Sequence, residues 1–378
     1  MALRIGIEAQ RIFRDKKHGM DFVALEMIRN LQIIDKENQY VVFVKPDTDP
    51  CLEETKNFKI VELKGTTYPY WEQIMLPAAA KAEKVDVLHC TSNTAPTQKD
   101  IPLILTLHDV IYMEKSPWAG GSLYQKFGNM YRRLNVPSVV KQASVVITVS
   151  EFEKEVIKRQ FPEISNKLKV VYNGKSTHFH ANYSDDEVSQ VVKKYNLPHN
   201  FIFFLGNTDP KKNLPRVIEA YIQYCREAES PLKMVIADFS ATLLDSHLSK
   251  LNAIDLAHQF VLPGYIPNKQ LPLIFKKASF FLYPSLRESF GIPIIEAMAC
   301  GVPVITSNVA SMPEISGGAA LLVDPTDVNS LKNGINTLSK DETLRKNLVQ
   351  QGLERAKSFD WQITARKVLD IYKDIKKQ

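Results

Sequence analysis

The segment YPSLRESFGIPIIEAMACGVP, residues 283–303, decides how this chain folds. It closes the apolar run Phe280–Tyr283, which has strand length and no polar alternation. Such a run suits a strand buried on both faces. Pro293 fits the first turn of a helix, where its missing N–H costs nothing, and Gly301 fits the position just past the helix end. Pro303 blocks continuation, and a second apolar run, Val302–Thr306, follows. Strand, helix and strand in one short span read as a parallel βαβ unit covered on both sides.

The unit recurs in both directions. Strand candidates in the first half are Arg4–Ile7, Tyr40–Val44, Lys59–Glu62, Val85–His89, Ile101–Leu107 and Ser144–Val149. In the second half they are Lys169–Val171, Phe201–Leu205, Lys233–Ile236, Phe260–Leu262, Phe280–Tyr283, Val302–Thr306 and Ala320–Val323. Helical patterns lie between them, as in Phe22–Ile34, Leu123–Gln142, Glu151–Gln160, Leu214–Arg226 and Leu271–Lys277. Repetition of the unit predicts α/β domains of doubly wound, Rossmann-like parallel sheet. A chain of 378 residues suits two of them. We place them at 1–178 and 179–360, with the boundary in the polar stretch Thr177–Asn200. Residues 361–378 read as a last amphipathic helix packing back on the N-terminal domain. Open sheets of this class bind ligands at the carboxyl ends of their strands. Two such sheets with those ends facing would enclose an interdomain cleft, so the informative residues should stand just after strands.

Composition narrows the class. Hydrophobic residues make up 44% of the chain, enough for a core in each half. The net charge of +6 is too small to imply nucleic acid and suits an anionic substrate. Cys51, Cys90, Cys225 and Cys300 form no CxxC or metal-ligand spacing and read as reduced thiols of a cytoplasmic protein. No run approaches the roughly 18–20 apolar residues of a spanning helix, and the start, MALRIGIEAQRIF, reads as a first strand rather than a leader. The first βα turn lacks G-x-G-x-x-G, which sets aside a nicotinamide oxidoreductase. No D-x-D follows a strand, so no metal is expected to bridge a donor.

The residues after the strands carry the chemistry. Ser289–Gly291 leads into a helix start, where backbone N–H groups and the helix dipole favour an anion, most naturally a diphosphate. Gly291 allows close backbone approach. Glu288 stands at the mouth of that site and can accept from sugar hydroxyls. Glu296, early on the helix, can take both hydroxyls of a ribose. A lone pair of carboxylates would ordinarily be two solvated charges; the Pro, Gly and Ser-Phe-Gly context argues otherwise. Upstream, the strand Phe201–Leu205 runs into Gly206-Asn207-Thr208-Asp209-Pro210-Lys211-Lys212. Two cations ahead of a helix oppose its dipole if merely solvated. A lysine there can stabilise charge developing on a departing diphosphate. In the first half, Ile101–Leu107 delivers His108 and Asp109 at a strand end.

The stretch ESFGIPIIEAMACGVPVI, with seven residues between its glutamates, resembles the signature of retaining glycosyltransferases of GT-B fold, family 4. The likeness extends over nearly the whole chain. It implies that Glu288 contacts the donor sugar near its 3- and 4-hydroxyls and that Glu296 holds the ribose. The backbone of Ser289, Phe290 and Gly291 would hold the sugar and diphosphate. Gly206 and Lys212 match the family's glycine and lysine. The family's arginine position is Asn207 here, so either Lys211 or another cation supplies the second charge, or one is dispensed with. The base would lie against Pro263–Pro267, near the backbone of Tyr265 and Ile266. His108 would orient the transferred sugar beside its 6-hydroxyl, while the leaving diphosphate takes the acceptor's proton. Ser150-Glu151 resembles the family's T-V-S-E-F element, and Ser150 also suits a helix cap. The family's glycine-rich turn after the first strand survives only as Gly19, inside the basic loop RIFRDKKHGM, residues 11–20. Arg11, Arg14, Lys16 and Lys17 could meet an acceptor phosphate or an anionic membrane, or form a solvated loop. Tyr68–Trp71 and Trp118 are candidates for the acceptor side, with core packing the commoner reason for such residues.

The resemblance implies metal-independent, retaining transfer of a hexosyl group from a GDP- or UDP-linked donor, with GDP-mannose favoured. The acceptor would be a glycan or a lipid-linked intermediate of polysaccharide biosynthesis. No cofactor is expected beyond the nucleotide sugar. The protein would be a monomer or weak homodimer, cytoplasmic, with peripheral contact at the inner face of the membrane through the basic loop. Two alternatives stay open. A nucleotide-sugar epimerase on this scaffold would change the sugar without an acceptor, and a non-catalytic binding protein would hold the donor without turnover.

Overall fold

The computed structural model describes residues 2–97, 100–114 and 123–375. The chain divides into two compact units, Met1–Gly174 with Asp360–Gln378, and Lys175–Phe359. Each is built on one fully parallel sheet.

In the first unit the strands are β1 (Arg4–Glu8), β2 (Gln39–Val44), β3 (Phe58–Glu62), β4 (Val87–Cys90), β5 (Leu103–Thr106), β6 (Val145–Thr148) and β7 (Leu168–Val170). Their order is β3-β2-β1-β4-β5-β6-β7. Side chains alternate between two cores, as the period of two requires. Ile5, Ile7, Tyr40, Val42 and Val44 enter one core, which the helices Gly19–Ile34 and Trp361–Ile375 complete. Val41, Phe43, Leu88 and Leu105 enter the other, with Val136, Val139 and Val140 of the helix Leu123–Gln142. Each such aliphatic side chain contributes about 1.5–3 kcal/mol of burial.

The second unit repeats the plan with β8 (Phe201–Leu205), β9 (Lys233–Ala237), β10 (Phe260–Val261), β11 (Phe280–Tyr283), β12 (Val304–Ser307) and β13 (Leu321–Val323). Their order is β10-β9-β8-β11-β12-β13. Ile202 and Phe204 face one core and Phe201 and Phe203 the other. All thirteen strands expected from the sequence are present, with no end displaced by more than two residues. The helix Ile292–Ala299 has Pro293 in its first turn and Gly301 beyond its end at φ +73°, the left-handed conformation that glycine adopts without cost.

Both sheets start near the middle, run outward, then return to the other side. The order therefore reverses between β1 and β4 in the first unit and between β8 and β11 in the second. At these points the strand-end loops diverge and leave a crevice for a ligand.

Candidate active site at the strand ends

The loops after β8 and β11 meet at the switch point of the second unit. Lys212 lies in a short 3-10 turn, Pro210–Lys212, and its Nζ is 2.5 Å from Glu288 Oε1 and 2.7 Å from the Tyr283 hydroxyl. Both partners are largely buried, with side-chain exposures of 18% and 11%. Burial works to raise the Glu288 pKa, but the Lys212 and Lys211 charges outweigh it and hold the carboxyl below its ordinary value. Two residues not singled out from the sequence fix this geometry. Asn213 adopts the left-handed conformation at φ 64° and donates through Nδ2 to the carbonyls of Pro284 and Pro325. Ser311 donates to the carbonyls of Glu288 and Phe290. The Leu286 amide also donates to the Lys211 carbonyl at 2.7 Å.

Beyond Glu288 the chain turns at Gly291, φ +104°, into the helix Ile292–Ala299. The amides of Gly291 and Ile292 have no hydrogen-bond partner among the described residues, which is the anion-accepting geometry of a helix start. Phe290 is buried against Phe359. Glu296 sits in the second turn of that helix, half-buried, with no hydrogen bond or ion pair to its carboxyl among the described residues. Burial alone pushes its pKa up to about 8.

Other sequence candidates fall around this centre with varied roles. Gly206 has a packing reason of its own, because a Cβ there would stand 2.3 Å from the Ala237 carbonyl oxygen. Asn207 accepts the Asp209 amide at 2.8 Å, a local turn rather than a substitute for a cation. Lys211 stands 3.9 Å from Asp209. In the loop after β10, Ile266 is buried in the core and Tyr265 is exposed.

The first unit gathers a different set at its own switch point. Glu8 ends β1, and its carboxylate accepts from the amides of Gln10 and Thr91 at 3.0 and 3.1 Å. His108, 5% exposed, donates from Nε2 to the Thr91 carbonyl at 2.9 Å, while its own amide donates to Asn93 Oδ1. Burial holds the His108 pKa below its ordinary value. Burial thus favours the neutral ring, in which, with Nε2 donating, Nδ1 is the acceptor. In the same unit, within electrostatic reach of Glu8, lies Glu72, fully buried on a π turn, Trp71–Met75, and accepting from the hydroxyls of Tyr68, Thr94 and Tyr131. Such turns often mark functional positions. Sequence reasoning pointed to Tyr68–Trp71 but passed over Glu72, Glu8 and Thr91. Trp71 itself is core, with Nε1 on the Leu63 carbonyl. Ser150 caps the helix Glu151–Gln160. Trp118 lies outside the described residues.

Gly19 opens the first helix, and a side chain there would meet open space. The basic loop is partly neutralised. Arg11 pairs with Asp21 at 3.2 Å and Lys17 with Asp49 at 2.5 Å, leaving Arg14 and Lys16 outside ion pairs among the described residues.

Comparison with known proteins identifies the family. The model for glycosyl transferases group 1 matches residues 185–355, and that for glycosyltransferase family 4 matches residues 18–179. The chain belongs to this glycosyltransferase family. One relative of this glycosyltransferase, the O-antigen chain mannosyltransferase B of Escherichia coli, is 28% identical over 271 residues, 71% of this chain and 70% of that protein. The serotype-specific mannosyltransferase WbdA of Escherichia coli is 24% identical over 71% of this chain but only 33% of its own length. The structure of Anabaena HepE in complex with UDP-glucose matches with a TM-score of 0.75 at 17% identity, over 98% of this chain and 100% of that one. That likeness is one of fold, GT-B in both. No described helix is long and apolar enough to cross a membrane.

Proposed function

We propose that this glycosyltransferase moves a mannosyl group, with retention of configuration, from GDP-mannose to a glycan or lipid-linked acceptor. The observation that carries the reading is the Lys212–Glu288 pair at the second switch point, beside the uncompensated carboxyl of Glu296. A nucleotide sugar brings the missing partners: diphosphate oxygens for Lys212, Lys211 and the helix-start amides, hydroxyls for Glu288, and a ribose for Glu296. The base lies along Tyr265 and Ile266, with Gly206 and Asn207 following β8 in the same unit, and Gly19 is the first unit's candidate for donor contact. In the transfer, the bond from the anomeric carbon to the diphosphate breaks. The acceptor oxygen bonds to the same face, and its proton passes to the leaving diphosphate. Lys212 stabilises the charge released, and neutral His108 accepts a hydrogen bond from the sugar. No metal enters this scheme. Mannose is favoured by the E. coli mannosyltransferase relative. A UDP-linked donor is the second reading, favoured by the UDP-glucose bound to the HepE fold.

A thermal-shift series with GDP-mannose, UDP-glucose and ADP-glucose tests the donor, since a ligand at 100 times its Kd adds about 2.7 kcal/mol of apparent stability. GDP-mannose should give the largest shift, and the anomeric configuration of the product should match the donor's. A shift with none of the three would overturn the reading. Sugar conversion without an acceptor would replace it with epimerisation.

A further inference from the structure

In the second unit the loops after β8, β9 and β10 are stitched side by side. The Gly206 amide donates to the Ala237 carbonyl and the Asp238 amide to the Gly264 carbonyl, both at 2.8 Å. Asp238 is thereby held against the turn that carries Tyr265, whose side chain is 72% exposed. Asp238 is exposed too and sits at φ 53°, the left-handed conformation that aspartate tolerates and most residues avoid. Its neighbours have structural work: Phe239 packs in the core and Ser240 caps the helix Ala241–Lys250. The Asp238 carboxyl has no hydrogen bond or ion pair among the described residues.

An open aromatic face beside an unengaged carboxylate suits a flat ring with paired N–H groups on its edge. Stacking is indifferent to which base is bound. The carboxylate is not, because it can only accept. Guanine sets N1–H and its 2-amino group side by side, one for each oxygen. Adenine sets a ring-nitrogen acceptor beside its amino group, and uracil holds its single N–H between two carbonyls, so each turns lone pairs toward the carboxylate.

We propose that Asp238 selects a guanine nucleotide, its carboxylate accepting from N1–H and the 2-amino group while the Tyr265 ring stacks on the base. The inference rests on the reading that lays the base along Tyr265 and Ile266, and it adds the residue that tells GDP from other nucleoside diphosphates.

Calorimetry on the full chain tests it with GDP, inosine diphosphate, which lacks the 2-amino group, xanthosine diphosphate, which has a carbonyl in its place, UDP and ADP. Wild type should bind GDP about tenfold more tightly than inosine diphosphate, and UDP and ADP more weakly still. Asp238→Asn keeps the shape and the left-handed turn but offers one acceptor and one donor. GDP should then lose about tenfold and xanthosine diphosphate gain about tenfold, with UDP within twofold and the melting temperature unchanged. Tyr265→Ala should weaken all five by a similar factor of about five, since stacking does not read the base edge. Wild type that prefers UDP or ADP, or binds none of the five, would overturn the GDP-donor reading and the inference with it. A GDP preference that survives Asp238→Asn, with no gain for xanthosine diphosphate, would overturn the inference alone. So would a loss in Tyr265→Ala confined to GDP, which would move recognition away from Asp238.

Discussion

The two switch points share one topology and differ in charge. In the second unit an ion pair joins the loops after β8 and β11, and one carboxyl nearby has no partner among the described residues. In the first unit the loops after β1, β4 and β5 are closed by backbone contacts, with Glu8 on two amides and a neutral His108 on a carbonyl. The second arrangement leaves the Glu296 carboxyl without a partner among the described residues, a partner that the proposed nucleotide sugar would supply. The first is satisfied without one. On the proposed reading, the second unit's strand ends form a charged wall that binds and stabilises charge, and the first unit's form a neutral wall that holds a shape.

The largest effect should come from breaking the charged wall. Lys212→Ala removes the cation proposed to meet the leaving diphosphate, and transfer should fall by about 10²–10³-fold, as when one preorganised donor is lost elsewhere. It also strands Glu288, which then has only Lys211 and neutral hydrogen bonds for company. Stability should drop by about 2 kcal/mol, a moderate value for a pair that is largely but not fully buried. Because the Glu288 pKa is held below 4.5, the pair's contribution is present above pH 4.5 and lost as pH falls through the folded value. The wild-type advantage over Lys212→Ala should therefore shrink in acid. Steady-state kinetics and urea unfolding at several pH values decide this, and unchanged kcat would remove Lys212 from the reaction.

His108→Ala probes the neutral wall. If the ring only accepts a hydrogen bond from the sugar, kcat should fall by about 10–100-fold while nucleotide affinity stays within twofold. A wild-type rate would leave His108 as a purely structural link between β5 and Thr91.

These contrasts explain what the sequence discloses. Glu288 and Lys212 are legible because Pro293, Gly291 and Gly301 mark the helix around one of them, and a strand-to-helix turn marks the other. Their pairing across 76 positions follows once β8 and β11 are neighbours. Asn213 and Ser311 are not legible, because each acts by a side-chain bond to the backbone of a distant loop, and a single Asn or Ser has no spacing to betray that. Asn213 leaves one trace, the tolerance of asparagine for the left-handed conformation ahead of Leu214-Pro215. Glu8, Thr91 and Glu72 are hidden for the same reason in greater degree. Their partners come from separate loops, and an isolated glutamate or threonine after a strand carries no motif.

Glu296 gives a smaller effect with a sign that depends on pH. Its folded pKa of about 8 lies above the ordinary 4.5. The stability linked to the protonated carboxyl is fully present below pH 4.5 and is lost as pH rises through about 8. Glu296→Gln should match wild type at pH 4.5 and exceed it by roughly 2 kcal/mol at pH 9, given about 1.4 kcal/mol per pKa unit and some relaxation. The same substitution should weaken donor binding by about tenfold, because an amide cannot accept from both ribose hydroxyls as a carboxylate does. Melting curves across pH and calorimetry with the donor measure both. Equal donor affinity would sink the ribose assignment, and a pH-independent stability difference would sink the account of its burial.

The smallest effect belongs to the layer under the neutral wall. His89 on β4 is fully buried between the Tyr372 hydroxyl at 2.7 Å and Thr106 Oγ1 at 2.8 Å, and burial, then the neighbouring His108, brings its pKa down to about 3. One ring nitrogen donates and the other accepts, and either tautomer uses both neighbours. Tyr372→Phe keeps the ring packing but leaves Nδ1 without a partner in a dry site. The cost should be about 1–2 kcal/mol, the desolvation penalty of one unsatisfied polar group, with Tm lowered by a few degrees. Thr106 is two residues before His108, so a loosened His89 would be felt first at the His108 ring. If the first unit's strand ends hold a shape by many satisfied bonds, as the contrast with the second unit implies, that disturbance should stop at Thr106. Stability would fall while kcat and KM stay within twofold of wild type. A drop in kcat without a drop in Tm would mean that the C-terminal helix positions His108 directly, and the neutral wall would then be an active part of the site rather than its scaffold.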